Sequence, residues 1–172
     1  ELGERALTRR FHVEEYRVPT FAVSIDADEA AWKYGQPVHA GVAARYLHGG
    51  NLGGREVTYS VSRTPVRFAP GNFPRFVFTS EGQDAASSTM LSHGKGRLDG
   101  EGRLGVAFTP DHAARAGAMR YVVDASVTDV DRQVYAGRSA QTVHPAAFYL
   151  GVAPPAERVL SAGDTLEVPV VA

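Results

Sequence analysis

Alternation of apolar and polar residues recurs along this chain and constrains its fold more than any other feature. Phe21, Val23 and Ile25 form one apolar stripe with a period of two. Successive side chains of a β-strand point to opposite faces, so such a stripe buries one face and leaves the other in water. The same pattern predicts six further strands, at residues 38–46, 57–61, 76–78, 104–108, 119–127 and about 133–143.

Turn-forming sequences separate these predicted strands and complete the fold prediction. Gly, Pro, Asn and Asp cluster in HGGNLGG (48–54), APGNFP (69–74), LDGEGRL (98–104) and TDVDR (128–132). The stretches 26–32 and 111–118 lean towards helix but are too short to form a helical layer. We predict an all-β protein, a seven-stranded antiparallel β-sandwich. Its predicted inward-facing residues are Phe21, Val23, Val42, Tyr59, Val106, Tyr121 and Val123.

The composition excludes several classes of protein and of site. The 172 residues have a formal net charge of -1, which gives no support to a nucleic-acid partner or an anionic membrane partner. No apolar run approaches the ~20 residues of a membrane span. The absence of cysteine excludes disulfides, thiolate metal sites and thiol catalysis from this segment. The first residues are polar and charged, so no signal peptide is predicted here, and because the chain begins with Glu1 and not Met we expect a fragment or a processed product.

The six histidines do not have the spacing of a metal site. Zinc sites favour pairs such as His-x-His on a strand or an i, i+4 pair on a helix, and neither pair occurs. Calcium at Asp99 and Glu101, or at Asp129 and Asp131, would lack the ligand number of a calcium loop. We therefore predict no metal-binding residue and no cofactor. The histidines are His12, His39, His48, His93, His112 and His144.

Patterns of catalytic residues are also missing. No Gly-x-Ser-x-Gly motif presents a nucleophile. The glycine-rich run 94–102 leads into a strand, whereas a phosphate loop leads into a helix, so a hairpin turn at Asp99-Gly100 is favoured. Glu14 and Glu15 are neighbours and would face opposite sides of a strand, unlike the carboxylate pair of a glycosidase. We predict that the segment is not an enzyme and has no catalytic or cofactor-binding residue.

Two further features leave alternatives open. The segment 80–96 is rich in Ser, Gly and Ala and is predicted to be a long mobile loop. Aromatic residues can line a carbohydrate-binding surface, although a β-sandwich core needs aromatic residues as well. A carbohydrate-binding or adhesin-type module is therefore the alternative to the function described below. Its candidate residues are Trp32, Tyr34, Tyr46, Phe73 and Phe76.

Residues 11–26, FHVEEYRVPTFAVSID, interrupt an extended run with three charges and a proline. They resemble the junction that enters the third macroglobulin-like domain of alpha-2-macroglobulins and complement components, where the family has the pattern V-x-E-Y-x-x-P-x-F-x-V. The charges Glu14, Glu15 and Arg17 are then expected at a polar boundary between domains. The matching positions are Val13, Glu15, Tyr16, Pro19, Phe21 and Val23.

Two later segments extend the resemblance over most of the chain. Residues 37–63 resemble a strand pair of the family, with one departure at Asn51-Leu52, where the family often has Pro-Leu or Pro-Val. Residues 121–152 are similar to the last strand pair and the exit into the next domain. Their ending, HPAAFYLGV, resembles bacterial alpha-2-macroglobulin homologues.

The resemblance implies a domain organisation and a function. Residues 1–17 would end a preceding macroglobulin-like domain, 18–145 would form a complete one, and 146–172 would begin the next. Bacterial members of the family are periplasmic protease-trapping inhibitors that act in host defence and are often lipid-anchored to the inner membrane. The resemblance implies that this segment is a scaffold without the bait region or the cysteine-dependent thioester. Its implied partners are other macroglobulin-like domains of the parent chain and, for the full-length protein, trapped proteases, with no nucleic acid and no direct membrane contact from this segment.

Overall fold

The computed structural model describes residues 19–27, 32–78, 87–111, 117–155 and 161–172, and these contain only β-strands as regular elements. The all-β class is therefore confirmed. The strands are β1 (Phe21–Ala27), β2 (Val38–Tyr46), β3 (Glu56–Val66), β4 (Thr89–Arg97), β5 (Arg103–Phe108), β6 (Ala118–Thr128), β7 (Val134–Val143), β8 (Gly151–Val152) and β9 (Val170–Val171).

Strands β1 to β7 form two antiparallel sheets that pack face to face. The first sheet has the order β1-β2-β5 and the second has the order β4-β3-β6-β7. In the first, Val42 of β2 lies opposite Ile25 of β1 and Leu104 of β5. In the second, Val61 of β3 lies opposite Val123 of β6. This arrangement confirms the predicted seven-stranded antiparallel sandwich.

One hydrophobic core lies between the two sheets. Alternate residues of β2 and β6 are buried, as a period of two requires. Five of the predicted inward-facing residues are at most 3% exposed, namely Phe21, Val42, Val106, Tyr121 and Val123. The other two, Val23 and Tyr59, are half-buried and pack against the same core. The prediction of the core is therefore confirmed.

The fourth strand differs from the prediction. Residues 76–78 do not form a strand: within them only Val77 pairs, in an isolated bridge to Val152. The edge of the second sheet is instead β4, which lies, except for Arg97, in the segment 80–96 that was predicted to be a mobile loop. That prediction is wrong for residues 89–96, and residues 80–86 lie outside the described part of the chain.

Strand β4 escapes the sequence pattern because its inner face has almost no side chains. A methyl group on Gly94 would lie 2.6 Å from the hydroxyl oxygen of Tyr59, and one on Gly96 would lie 2.8 Å from Cδ2 of Leu104. Side chains of neighbouring strands therefore cover the two glycines and supply the apolar surface of this edge. A pattern that counts apolar residues within one strand cannot detect a surface supplied by another.

The segment that was predicted to begin a second unit forms the small sheet β8-β9. Val152 of β8 lies between Val170 of β9 and Val77 of the β3–β4 connection. The predicted bounds of the units, 1–17, 18–145 and 146–172, stay a prediction. The boundary charges Glu14, Glu15 and Arg17, and residues 28–31 and 112–116 of the two helix-leaning stretches, lie outside the described residues.

Candidate functional site

A carboxylate in the β6–β7 turn ties the two sheets together. Asp129 accepts a hydrogen bond of 2.7 Å from Nε of Arg55 and another of 2.7 Å from the N–H of Val130. The hydroxyl of Tyr46, at the end of β2, lies 3.3 Å from its second oxygen. The side chain of Asp129 is only 7% exposed, so these partners replace the water that the charge loses. The cluster connects β2 of one sheet with β6 of the other.

The pKa of Asp129 reflects this environment. Burial acts to raise the pKa, but the hydrogen bonds from Arg55 and from the N–H of Val130 outweigh it, so the pKa lies below the ordinary value of 3.8. The carboxylate is therefore charged and fully engaged at neutral pH. An acid of this kind is suited to holding a turn in place and has no proton to give in catalysis.

A second polar cluster lies near the start of β6. Arg63 forms an ion pair with Asp111, and the hydroxyl of Tyr121 donates to the backbone carbonyl of Asp111 at 3.1 Å. The hydroxyl of Tyr34 donates to the carbonyl of Gly117 at 3.1 Å. Burial and the neighbouring Tyr121 raise the pKa of Tyr34 to about 12. Both phenols therefore stay neutral and serve as hydrogen-bond donors to the backbone.

The carboxylates that were considered as calcium ligands bind backbone N–H groups. Asp99 accepts from the N–H groups of Glu101 and Arg103, both at 2.9 Å, and Asp131 accepts from the N–H of Gln133 at 3.0 Å. These contacts are those of turn-capping carboxylates. Within the described ranges, no three His, Asp or Glu side chains come close enough to hold a metal ion.

Three polar residues of the second sheet have the composition of a hydrolytic triad but the wrong order. Ser60 of β3 lies directly opposite His93 of β4 and Asp124 of β6. A triad needs the histidine between the nucleophile and the acid, whereas here the serine is in the middle. Asp124 also accepts a bond of 2.6 Å from Arg138. The row is therefore a solvated outer face of the sheet.

The aromatic residues considered for carbohydrate binding do not share a surface. Trp32 is 5% exposed and packs edge-on against Phe108, with ring centroids 5.3 Å apart. Tyr34 and Tyr46 pack against the same core. Phe73 and Phe76 instead lie in the β3–β4 connection, outside this core, and pack edge-on against each other with centroids 5.9 Å apart. The flat exposed row that this alternative requires is absent from the described structure.

The densest aromatic contacts outside the core fasten the segment that follows β7. The ring of Phe68, two residues after β3, stacks on Tyr149 with centroids 3.9 Å apart and an angle of 15° between the rings. Nδ1 of His144, the residue after β7, is hydrogen-bonded to the Tyr149 hydroxyl at 2.7 Å. Phe78 packs edge-on against Phe68 at 5.6 Å. We call this set, together with the Val77–Val152 bridge and Gly151, the aromatic clamp.

The clamp forms one wall of an open groove of about 490 Å³. Its other lining residues include Pro70, Phe73, Ala146 and Phe148. Phe148 and Leu150, which precede β8, are 63% and 60% exposed. The groove is predominantly apolar, and contiguous exposed apolar surface of this kind is typical of a docking region between protein segments.

Sequence reasoning missed the clamp because its residues come from two distant segments. Phe76 and Phe78 were interpreted as a strand, and Phe148, Leu150 and Val152 were interpreted as a stripe of the next unit. The composition gave a signal, because residues 68–78 contain four phenylalanines, two prolines and one glycine. Such a dense aromatic loop indicates a local core beneath a connection.

A family comparison identifies the sandwich. Residues 20–145 match the family described as "Bacterial Alpha-2-macroglobulin MG5 domain", which covers well over half of the chain. The resemblance in the sequence had indicated the third macroglobulin-like domain, whereas the matching family carries the label MG5. Within the described residues, no helix has the length and apolar character needed to cross a bilayer.

Individual relatives are distant and much longer. An alpha-2-macroglobulin homolog of Nostoc sp. is 25% identical over 156 residues, which are 85% of this chain and 8% of the relative. Trypsin-activated alpha-2-macroglobulin of Escherichia coli aligns with a TM-score of 0.67 at 22% identity, over 84% of this chain and 10% of that protein. Salmonella alpha-2-macroglobulin reacted with methylamine aligns with a TM-score of 0.68 at 23% identity, over 92% of this chain and 10% of that protein.

The chain thus spans about one tenth of the length of the solved structures it matches. The structural matches show a shared fold, and the family match extends from the residue before β1 to two residues beyond β7. The chain belongs to the bacterial alpha-2-macroglobulin family and contains its MG5 domain.

Proposed function

We propose that this chain is a non-catalytic scaffold segment of a bacterial alpha-2-macroglobulin-like inhibitor that traps endopeptidases. The parent protein would act in the periplasm, anchored by lipid to the inner membrane, and would contribute to host defence. The partners of this segment would be the neighbouring macroglobulin-like domains of the same chain. The protease would meet the assembled parent and not this segment alone.

One observation carries the scaffold proposal. The chain aligns with the native conformation of E. coli alpha-2-macroglobulin at a TM-score of 0.68 and with the trypsin-activated form at 0.67. The same fold is therefore recognisable in both forms of that relative, over 92% and 84% of this chain respectively. A scaffold role requires such a fold, because a scaffold domain keeps its fold when the protein around it is activated.

The polar groups of the described residues support the same proposal. The buried carboxylate of Asp129 is bound by Arg55, Tyr46 and a backbone N–H, and Asp111 is bound by Arg63. These groups stabilise turns and join the sheets. The sequence has no cysteine, so a thioester of the parent protein would lie in another segment.

A protease-protection assay with the parent protein tests the proposal. Trypsin treated with the parent should still cleave a small chromogenic peptide but should lose activity on a large protein substrate, because a trapped protease is shielded from macromolecules. The isolated 172-residue chain should leave trypsin fully active on both substrates, even in large molar excess. Within the parent, Asp129→Ala should weaken trapping and the exposed control Val130→Ala should not.

Two results would contradict the proposal. Inhibition of trypsin by the isolated chain would give this segment a direct inhibitory role. A parent protein that leaves trypsin fully active on protein substrates would remove the protease-trapping function altogether.

A further inference from the structure

We infer that the aromatic clamp is a latch that fixes the direction in which the chain leaves the sandwich and that opens without unfolding the sandwich. The inference goes beyond the scaffold function, since it concerns the coupling between the MG5 sandwich and the segment that follows it. It rests on three independent features of the described residues: where the clamp is anchored, how it holds the exit segment, and how it is separated from the main core.

Both anchors of the clamp start from the same end of the second sheet. Phe68 comes two residues after β3 and His144 directly after β7. In the ladder, Val66 at the end of β3 lies opposite Ala118, and Val143 at the end of β7 lies opposite Met119. The two anchors therefore flank the start of β6, and their positions are set by the sandwich.

Ring stacking and one hydrogen bond then hold Tyr149 between the anchors. Its ring lies flat on Phe68, and its hydroxyl is bound to His144. Burial raises the pKa of the Tyr149 hydroxyl, which therefore keeps its proton at neutral pH. Because Phe68 contacts one face of the Tyr149 ring and His144 binds its hydroxyl, the ring has a defined orientation. The backbone at Tyr149 is thereby oriented as well.

A strip of backbone hydrogen bonds extends this hold into the following sheet. The N–H of Val77 donates to the carbonyl of Val152 at 2.8 Å, and the N–H of Val152 donates back to Val77 at 3.0 Å. The N–H of Ala153 donates to the carbonyl of Pro169 at 3.0 Å. Strand β8 therefore lies between the β3–β4 connection of the sandwich and β9, and the isolated Val77–Val152 bridge links it to that connection.

Close packing at Gly151 makes the joint specific. A methyl group at this position would lie 2.5 Å from Cε1 and 2.6 Å from Cζ of the Phe78 ring. The backbone of β8 therefore lies directly on that ring, and any residue larger than glycine forces one of the two to move.

The clamp borders the main core, at Tyr34, but its rings are not part of the buried cluster. The buried cluster between the sheets runs from Phe21 to Val143 and includes neither the rings of the clamp nor Val152. Contacts that form a distinct unit can open as a unit, with a free energy below that of global unfolding. On this inference the clamp opens as such a unit, and the exit segment then loses its fixed direction while the sandwich stays folded.

Amide hydrogen exchange on this chain tests the inference, with Trp32 as an internal reference. Trp32 is the single tryptophan and lies in the main core, so its emission reports on the sandwich and not on the clamp. Phe68→Ala removes the ring that stacks on Tyr149. We expect the amides of Val77 and Val152 to exchange at least about tenfold faster, while the amides of β3 and β6 and the Trp32 emission stay unchanged.

Three further variants sharpen the result. Gly151→Ala should open the clamp by displacing Phe78, and Tyr149→Phe should have a smaller effect because it keeps the stack and loses only the bond to His144. Phe148→Ala is the matched control, since it removes a phenyl ring from the adjacent, 63% exposed position. It should leave the exchange rates of Val77 and Val152 as they are in the wild type.

Three outcomes would overturn the inference. Unprotected amides at Val77 and Val152 in the wild type would mean that no latch exists. Equal acceleration in β6 and at Val152 would mean that clamp and sandwich form one cooperative unit. An equal effect of Phe148→Ala and Phe68→Ala would mean that the stack has no specific role. No protease is used in this experiment, so its failure would leave the protease-trapping proposal to its own test.

Discussion

The main core and the aromatic clamp both rely on aromatic packing, but they differ in how completely they exclude water. Phe21 in the core is 1% exposed and meets Tyr135 edge-on at 4.5 Å. Phe68 in the clamp stacks more closely on its partner, at 3.9 Å, yet it is only partly buried and lines an open groove. The contact distance therefore does not indicate which region contributes more to the free energy of unfolding. The apolar area removed from water indicates it better, because this area sets most of the stabilisation.

Because of this difference, we expect the two regions to control different properties of the chain. The core lies between two sheets, and opening it exposes apolar residues from both. The clamp holds one exit segment by a ring stack, the packing of Phe78 on Gly151, one side-chain hydrogen bond and two backbone hydrogen bonds, so opening it exposes fewer apolar residues than opening the core does. We expect the core to determine whether the domain folds and the clamp to determine where the next segment points.

The largest effect is expected from truncation in the core. Phe21→Ala leaves a cavity beneath Tyr46 and Tyr135 and should lower the free energy of unfolding by about 3–5 kcal/mol. The smaller Val123→Ala should cost about 1–3 kcal/mol. Urea denaturation followed by Trp32 emission measures both. Val130→Ala, at a position that is 77% exposed, is the control and should change the free energy by less than about 0.5 kcal/mol.

The next effect concerns the buried carboxylate that joins the sheets. Asp129→Ala leaves Arg55, Tyr46 and the N–H of Val130 without their acceptor and should cost about 1–3 kcal/mol at neutral pH. Denaturation of the two proteins in the same buffer gives this value. A loss no larger than that of the Val130→Ala control would show that water replaces the carboxylate without cost.

The same carboxylate predicts a pH dependence. The pKa of Asp129 in the folded chain lies below 3.8, so its stabilisation is complete above that pH and is lost as the pH falls through the folded value. The stability difference between wild type and Asp129→Asn should therefore be constant between pH 5 and 7 and shrink below about pH 3.8. A difference that grows on acidification would contradict the assigned ion pair.

A close approach between β7 and β1 gives a further, smaller effect. A methyl group at Gly137 would lie 2.9 Å from the carbonyl oxygen of Val23, and a backbone atom cannot turn aside as a side chain can. Gly137→Ala should cost about 1–2 kcal/mol through strain. Gly105→Ala in β5, where a methyl group meets no heavy atom within 4 Å, is the matched control. Equal costs for the two variants would show that strand flexibility, and not the close approach, accounts for the loss.

The smallest effect on global stability is expected in the clamp. Phe68→Ala should lower the free energy of unfolding by about 1 kcal/mol, because the ring is only partly buried and lies outside the main core. Urea denaturation of this variant alongside Phe21→Ala makes the comparison direct. A loss as large as that of Phe21→Ala would place the clamp within the core and remove the distinction between the two regions.

The sequence predicts the core well because burial follows a local rule. Phe21, Val42 and Tyr121 lie on strands whose alternation is complete within each strand, so each strand reveals its own inner face. Strand β4 fails the same rule, since Tyr59 and Leu104 supply the apolar surface over Gly94 and Gly96. The predicted number of strands was right although one strand was assigned to the wrong segment.

The clamp could not be predicted from the sequence for a different reason. Phe68 and Tyr149 are far apart in the chain, and their contact depends on β3 and β7 ending on either side of β6. The period of apolar residues along one strand contains no information about a contact between such distant residues. The absence of a catalytic or metal-binding residue stays a prediction from the sequence.

The distance between two labels on either side of the joint tests most directly whether the clamp fixes the exit direction. The chain has no cysteine, so Ala136→Cys on β7 and Ala162→Cys in the turn that precedes β9 place spin labels at two chosen positions without further changes. Pulsed electron spin resonance should give a single narrow distance distribution, which Phe68→Ala broadens and Phe148→Ala leaves narrow. A broad distribution in the otherwise wild-type chain would contradict the account, because the sandwich would then leave the exit segment free to reorient.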